Sequence, residues 1–365
     1  MKRTTTALAA CVTLLLSGCG SDTAENSPSA SSSTAATASA PASGTTAETL
    51  DLPDAHSLTG LSEAEDIPDP EPIEGSYAQQ LPATVTDAEG NSVTVTDTSR
   101  ILALDLYGTF SRTVISLGYG ENIVGRTVSS TENQLADLPV VTENGHSLNA
   151  EAILALNPTV ILADRSIGPP EVIDQVKAAG IPVIILDSER SIESTGPLIQ
   201  SVADALGVPQ AGQALVERTE AETNSAIEQI AQWEPEEPLH IVFLYVRGTA
   251  GVFFILGEED GATALITALG GYDVASANGI TATTPANAEA LLTLDPEVIL
   301  VMSGGLESTG GVDGLLSRAG VSETRAGANQ RIVSIPDGIS LSFGPQTGDT
   351  LLAIGRVLYG VDDAG

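Results

Sequence analysis

Two stretches of the chain, NAEAILALNPTVILAD at Asn149–Asp164 and NAEALLTLDPEVILVM at Asn287–Met302, share one pattern of apolar and polar positions and ten of sixteen residues. In each copy a carboxylate opens a run of apolar residues at helical spacing, a proline closes it, and continuous apolar residues follow. The first half of the pattern predicts a short amphipathic helix with an acid in its first turn. The second half predicts a buried strand, Val160–Ala163 in one copy and Val298–Val301 in the other. A helix leading into a continuously apolar strand is the unit of a parallel sheet covered on both faces. Two copies 138 positions apart therefore predict two lobes of similar α/β build.

The remaining periodicity fits that plan. Alternating polar and β-branched residues around a turn at Thr84–Asp97 predict an entry hairpin. Ile101–Asp105, Ile181–Asp187, Leu239–Val246 and Arg331–Asp337 read as further strands. Tyr107–Leu117, Pro170–Ala179, Ile192–Leu206, Gly261–Leu269 and Thr347–Tyr359 read as helices. Between the two sets, Pro209–Trp233 places Ala211, Ala214, Leu215, Ala226, Ile227 and Ile230 at helical positions. A helix of about 22 residues spans roughly 33 Å, enough to bridge two lobes as a strut. The expected fold is α/β, with central, mostly parallel sheets in a first lobe (84–208) and a second lobe (237–365) joined by one long helix within 209–236.

Composition changes the picture at the N-terminus. Lys2, Arg3, an apolar run from Ala7 to Leu16 and the small residues after it form an export signal over residues 1–18. The run is shorter than the roughly 20 apolar residues that a membrane-spanning helix needs. Leu16-Ser17-Gly18-Cys19 resembles the bacterial lipobox, which implies that Cys19 is diacylated and anchors the chain on the outer face of the cell membrane. Cys11 is then lost with the signal, no disulfide remains, and an ordinary core must hold the fold. Residues 19–83, rich in Ser, Thr, Ala, Pro and acids, are expected to form a flexible tether. A formal charge of −34 repels phosphate backbones and argues against nucleic-acid binding.

Histidine is scarce, three in 365 residues, so each is weighed by position. His56 falls in the tether and His240 at a strand entry beside Pro238; both read as incidental. His146 precedes the first repeat helix in a Gly-containing loop at the mouth of a lobe, where α/β proteins place ligand contacts. The plainer alternative is a loop histidine bonded to a nearby carbonyl. Tyr245 and Arg247 stand two apart on a strand, so both point to one face. A phenol with an ordinary pKa of about 10 binds metal near neutral pH only with help, which a ferric ion and an adjacent guanidinium both supply. The alternative is a core tyrosine beside a surface arginine. Met302 closes the second repeat, where apolar residues pack, and its thioether is a soft ligand poorly matched to ferric iron. Glu151 and Glu289 occupy first helical turns, where an acid complements the helix dipole by about 0.3–1 kcal/mol. The sequence holds no G-x-S-x-G elbow, H-E-x-x-H or P-loop, and the mature chain offers no cysteine nucleophile, so no enzymatic activity is expected.

The lipobox, the paired lobes with their strut and the two NAE segments resemble the cobalamin, siderophore and haem class (class III) of ABC-importer substrate-binding proteins, from about Thr84 onward. Tyr245-Val246-Arg247-Gly248, with His146 ahead of the first repeat helix and Met302 at the end of the second, is similar to the haem-binding lipoproteins of actinobacterial haem importers. The resemblance implies a ligand cleft between lobes that hinge little. It implies ferric haem b as the transported ligand, with His146 and Tyr245 as axial ligands, Arg247 bonded to the Tyr245 oxygen, and Met302 near the ring. It implies docking of Glu151 and Glu289 on an ABC permease with its ATPase, and haem donation by surface haem-receptor proteins. A ferric siderophore or cobalamin is the alternative cargo in the same fold. The class tends to clamp cobalamin with tryptophans and siderophores with clustered arginines and aromatics, whereas Trp233 is the chain's one tryptophan and ends the strut.

Overall fold

The computed structural model describes residues 52–249 and 251–361. The export signal, Cys19 and the first part of the tether lie outside the described residues. Within them, the continuous apolar runs form strands buried on both sides, as the repeat predicted. Four parallel strands make the first sheet, in the order Ile123–Gly125, Ile101–Leu104, Val160–Ala163, Val183–Ile185. Alternation sends Ile101 and Ala103 to one face, under Phe110, Val114, Leu198 and Val202 of helices Thr109–Ser116 and Ile192–Ala205. Leu102 and Leu104 go to the other face, against Ile153, Ile173 and Val176 of helices Ala150–Ala155 and Pro170–Ala178.

The second sheet has seven strands. Its centre is parallel, Ile332–Ile335 beside Val298–Met302 beside His240–Arg247, and Val252–Ile255 with Thr284–Pro285 extends it antiparallel. Phe243, Leu300 and Val333 pack under Leu351, Ile354 and Leu358 of the C-terminal helix Thr347–Tyr359. Val242, Ile299 and Val301 face Leu291 and Leu294 of helix Ala288–Leu294. The sequence repeat is thus a structural repeat, one helix–strand unit in each sheet.

The strut is a 22-residue helix, Pro209–Ile230. Ala211 and Leu215 of its first half join the core of the first sheet, and Ala226 and Ile230 of its second half join the core of the second. Gly212 lets it lie close on helix Ile192–Ala205, since a Cβ there would come 2.5 Å from the Ala203 Cβ. Among the described residues no helix is long and apolar enough to cross a membrane.

One expectation is corrected. The tether read through Ala83 does not extend that far, because the chain is ordered against both sheets from Leu52 on. Leu61–Glu63 adds a parallel strand to the edge strand Ile332–Ile335. The Pro68 carbonyl accepts from Gln346 at 2.8 Å, and the Asp69 carboxylate accepts from the backbone of Asn133 (2.7 Å) and Gln134 (2.8 Å). Composition misled here because a few scattered apolar residues suffice, Ala55, Ala64 and Ile67 on the second core and Ile73, Tyr77 and Leu81 on the first, while main chain and carboxylates supply the other contacts.

Candidate functional site

The second-sheet candidates stand at the C-terminal ends of parallel strands, where the outgoing loops of α/β sheets gather. Along His240–Arg247 the side chains of Leu244 and Val246 are buried in the core while Tyr245 and Arg247 are only partly covered, the single-face pairing expected of residues two apart. The Arg247 guanidinium carbon lies 5.4 Å from the centre of the Tyr245 ring. Its Nη2 donates to Asp337 Oδ2 at 2.5 Å and lies 3.9 Å from Met302 Sδ. Burial works against the Arg247 charge, but the bonds to Asp337 and the Tyr245 side chain prevail and raise its pKa, so the guanidinium remains a cation.

From the first half, His146 arrives on a tight hairpin, Thr142–Glu143 paired with Ser147–Leu148. Its three-residue loop is Asn144-Gly145-His146, with Asn144 and Gly145 in the left-handed region that these residues favour. Leu148 donates to the Gly168 carbonyl at 2.6 Å, which docks the hairpin on the loop leaving Val160–Ala163. Burial and the positive charge of Arg247 push the His146 pKa below its ordinary value, with Asp337 opposing. His146 and the Tyr245–Arg247–Asp337 group, from opposite halves of the chain, therefore share one electrostatic environment. His146 Nδ1 is buried and has no hydrogen-bond partner among the described residues. A neutral imidazole presents a lone pair to a metal, and a cationic one does not. NMR titration of the ligand-free protein is expected to place the His146 pKa below the ordinary value of about 6.5; a value at or above it would contradict the electrostatics described.

The other sequence candidates separate cleanly. Met302 ends its strand and opens helix Ser303–Thr309, its sulfur beside the Arg247 guanidinium. Glu151 and Glu289 are exposed in first turns of matching helices, each preceded by an Asn cap that accepts from a backbone N–H, Asn149 from Ala152 at 2.9 Å and Asn287 from Ala290 at 3.0 Å. Neither acid forms an ion pair among the described residues. His56 and His240 lie at the opposite, N-terminal end of the second sheet. There His56 Nε2 sits 3.0 Å from the Glu237 carbonyl, and the His240 ring stacks on Tyr272 at 4.9 Å.

Two residues were missed in the sequence. In the sequence Asp337 reads as the end of a strand, although an Asp-Gly pair leaving an apolar strand is a signal for a loop at the cleft end. Arg190 was not singled out at all. Its side chain is fully buried at the ends of Ile101–Leu104 and Val160–Ala163, 3.4 Å from Asp105 and 2.5 Å from Asp164, with the Tyr107 ring centre 5.0 Å away. A surface cavity of about 680 Å³ between the entry hairpin and the edge of the first sheet, near Thr84 and Asp204, is lined by none of these candidates.

A family model described as periplasmic binding protein matches residues 106–338. The crystal structure of a haem-binding protein, HmuT, superposes with a TM-score of 0.83 at 54% identity, covering 85% of this chain and 100% of that one. Variants of HmuT with a tyrosine, a histidine or an arginine replaced by alanine superpose equally well. RhuT from Roseiflexus sp. RS-1, a periplasmic haem-binding protein in apo form, superposes with a TM-score of 0.67 at 36% identity over 72% of this chain and 99% of its own. An uncharacterised ABC transporter substrate-binding lipoprotein of Bacillus subtilis (strain 168), YvrC, is 21% identical over 282 residues, 76% of this chain and 86% of its own.

Proposed function

This chain belongs to the periplasmic binding protein family, and from that premise we propose that it captures ferric haem between His146 and Tyr245 and hands it to an ABC permease. The binding cleft lies between a first lobe (84–208) and a second lobe (237–365) joined by the linking helix within 209–236. Cys19 carries the lipid that holds the chain on the outer face of the membrane, and surface haem receptors supply the ligand. The observation that carries this reading is a half-buried histidine within electrostatic reach of Arg247 and Asp337, the arginine in turn lying beside Tyr245 from the other half of the chain. A neutral imidazole and a phenolate together match a ferric ion and leave no open axial position, which suits a carrier better than a catalyst. Support comes from HmuT, whose alanine variants replace the same three residue types at the same relative spacing as His146, Tyr245 and Arg247.

Hemin titration of the mature chain, produced without lipid, tests the reading. One equivalent should give a saturable ferric Soret shift with a tyrosinate charge-transfer band. No saturable shift, together with tight binding of a ferric siderophore or cobalamin, would reassign the cargo.

Glu151 and Glu289 act in delivery. Each already has an Asn cap beside it, so neither acid is needed to close its helix, and their symmetric exposure on two units suits contacts with two permease subunits. Reversing both charges to Arg is expected to leave hemin affinity within about twofold, since both acids are exposed and form no ion pair among the described residues. Haem uptake into vesicles carrying the permease should fall further than with either single change. Loss of hemin binding in Glu151→Arg alone would show that this acid supports the pocket instead.

A further inference from the structure

We propose that Asp337 is the residue that positions Arg247 toward Tyr245, and that it thereby sets how firmly the Tyr245 oxygen holds the ferric ion. This rests on the haem-binding reading above. Three neighbouring parallel strands end side by side in the order Ile332–Ile335, Val298–Met302, His240–Arg247. Asp337 leaves the first of them, Met302 ends the second, and Arg247 ends the third. The guanidinium reaches across the middle strand end to Asp337 Oδ2 (2.5 Å), with Met302 Sδ beside it (3.9 Å) and the Tyr245 ring centre 5.4 Å from its carbon.

The two carboxylate oxygens do different things. Oδ1 accepts from the Gly304 N–H at 2.8 Å and from Ser303 Oγ at 3.4 Å, fixing the carboxylate to the start of helix Ser303–Thr309. Oδ2 is thereby aimed at the guanidinium. The corner itself is held from the other half of the chain, because Gly338 packs so closely on Thr131 that a Cβ would overlap its side chain.

Arg247 and Asp337 are about one-third exposed, 31% and 35%, so their attraction contributes little to overall stability. Its effect is local. An unpartnered arginine samples many rotamers, and ordering it when the ligand arrives weakens binding. The opposing effect is that the carboxylate offsets part of the positive charge that Arg247 brings to the ligand side. That effect acts over a longer distance in a site open to solvent and is screened, whereas the hydrogen-bond aim is short-ranged. The positioning effect therefore wins.

The test is a mutant cycle read by hemin affinity and by the position of the tyrosinate-to-iron charge-transfer band. Asp337→Asn keeps Oδ1 for Gly304 but replaces Oδ2, so it no longer accepts from Arg247. It is expected to bind hemin about fivefold more weakly, the scale of one networked, partly exposed ion pair, and to shift the band. Introduced into Arg247→Ala, it should add nothing, because it acts through that side chain. Asp337→Glu should recover most of the band position. Additive effects in the cycle, unchanged binding and band in Asp337→Asn, or tighter binding in it would each overturn this inference while leaving haem binding intact. A wild-type protein with no saturable Soret shift would instead overturn the haem reading itself.

Discussion

Replacing Tyr245 with alanine is expected to weaken hemin binding roughly a hundredfold, about 2.7 kcal/mol, whereas His146→Ala costs about tenfold less than that. The asymmetry follows from how each ligand is supported. Tyr245 supplies a negative charge to the ferric ion and stands beside the Arg247 guanidinium, whose carbon is 5.4 Å from its ring centre. His146 is a neutral donor, and among the described residues its buried Nδ1 has none of the hydrogen-bond acceptors that commonly orient a ligating imidazole and raise its basicity. Hemin titrations of the two variants under one buffer condition decide the matter. Equal losses would mean that the imidazole gains a partner on binding, and no loss in either would sink the site assignment. In Tyr245→Ala the charge-transfer band should also disappear, which a purely steric loss of affinity would not produce.

Arg190→Met is expected to destabilise the fold by about 3–5 kcal/mol without touching the proposed iron ligands. In a domain of this size that lowers the thermal midpoint by roughly 6–10 °C. The Arg190 side chain is fully buried with two carboxylates, Asp105 and Asp164, and removing it leaves both acids buried without their cation. Asp105 retains backbone donors at the start of helix Thr109–Ser116, including Thr109 N–H at 2.9 Å. Asp164 is the weaker member, and burial, opposed by Arg190, pushes its pKa up to about 6. With the folded pKa above the ordinary carboxylate value, stability linked to this group is full below about pH 4 and is lost as pH rises through about 6. The penalty of Arg190→Met should accordingly shrink between pH 7 and pH 5, as Asp164 takes up a proton and no longer needs the cation. Calorimetry across that range checks both the size and the sign; a penalty that grows on acidification would show that Asp164 stays ionised.

Much of this was readable before any tertiary contact was known. Val160–Ala163 is the predicted strand, the helix Thr347–Tyr359 matches its predicted limits, and the strut begins at Pro209 as expected. These elements announce themselves because their periodicity, their prolines and their caps are local in sequence. The Gly-rich stretch after Met302 gave no such signal. Helices Ser303–Thr309 and Gly311–Leu316 form there anyway, because packing of Leu306 and Leu315 into the second core overrides their low propensity.

The sequence by itself determined the two helix–strand units, their shared ancestry of pattern, the bridging helix, and the short roster of chemically unusual residues, His146, Tyr245, Arg247 and Met302. Periodicity, scarcity and strand-end position are properties of neighbouring residues, and they survive without a fold. Only the tertiary structure decided that Leu61–Glu63 joins the second sheet, since backbone pairing at a sheet edge leaves no side-chain signature. It alone brought His146 into the electrostatic reach of Arg247 and Asp337, more than a hundred residues away along the chain. It alone gave Arg190 its two buried partners and Asp337 its aim, because the order of strands in a sheet, which no local pattern encodes, sets which strand ends lie side by side.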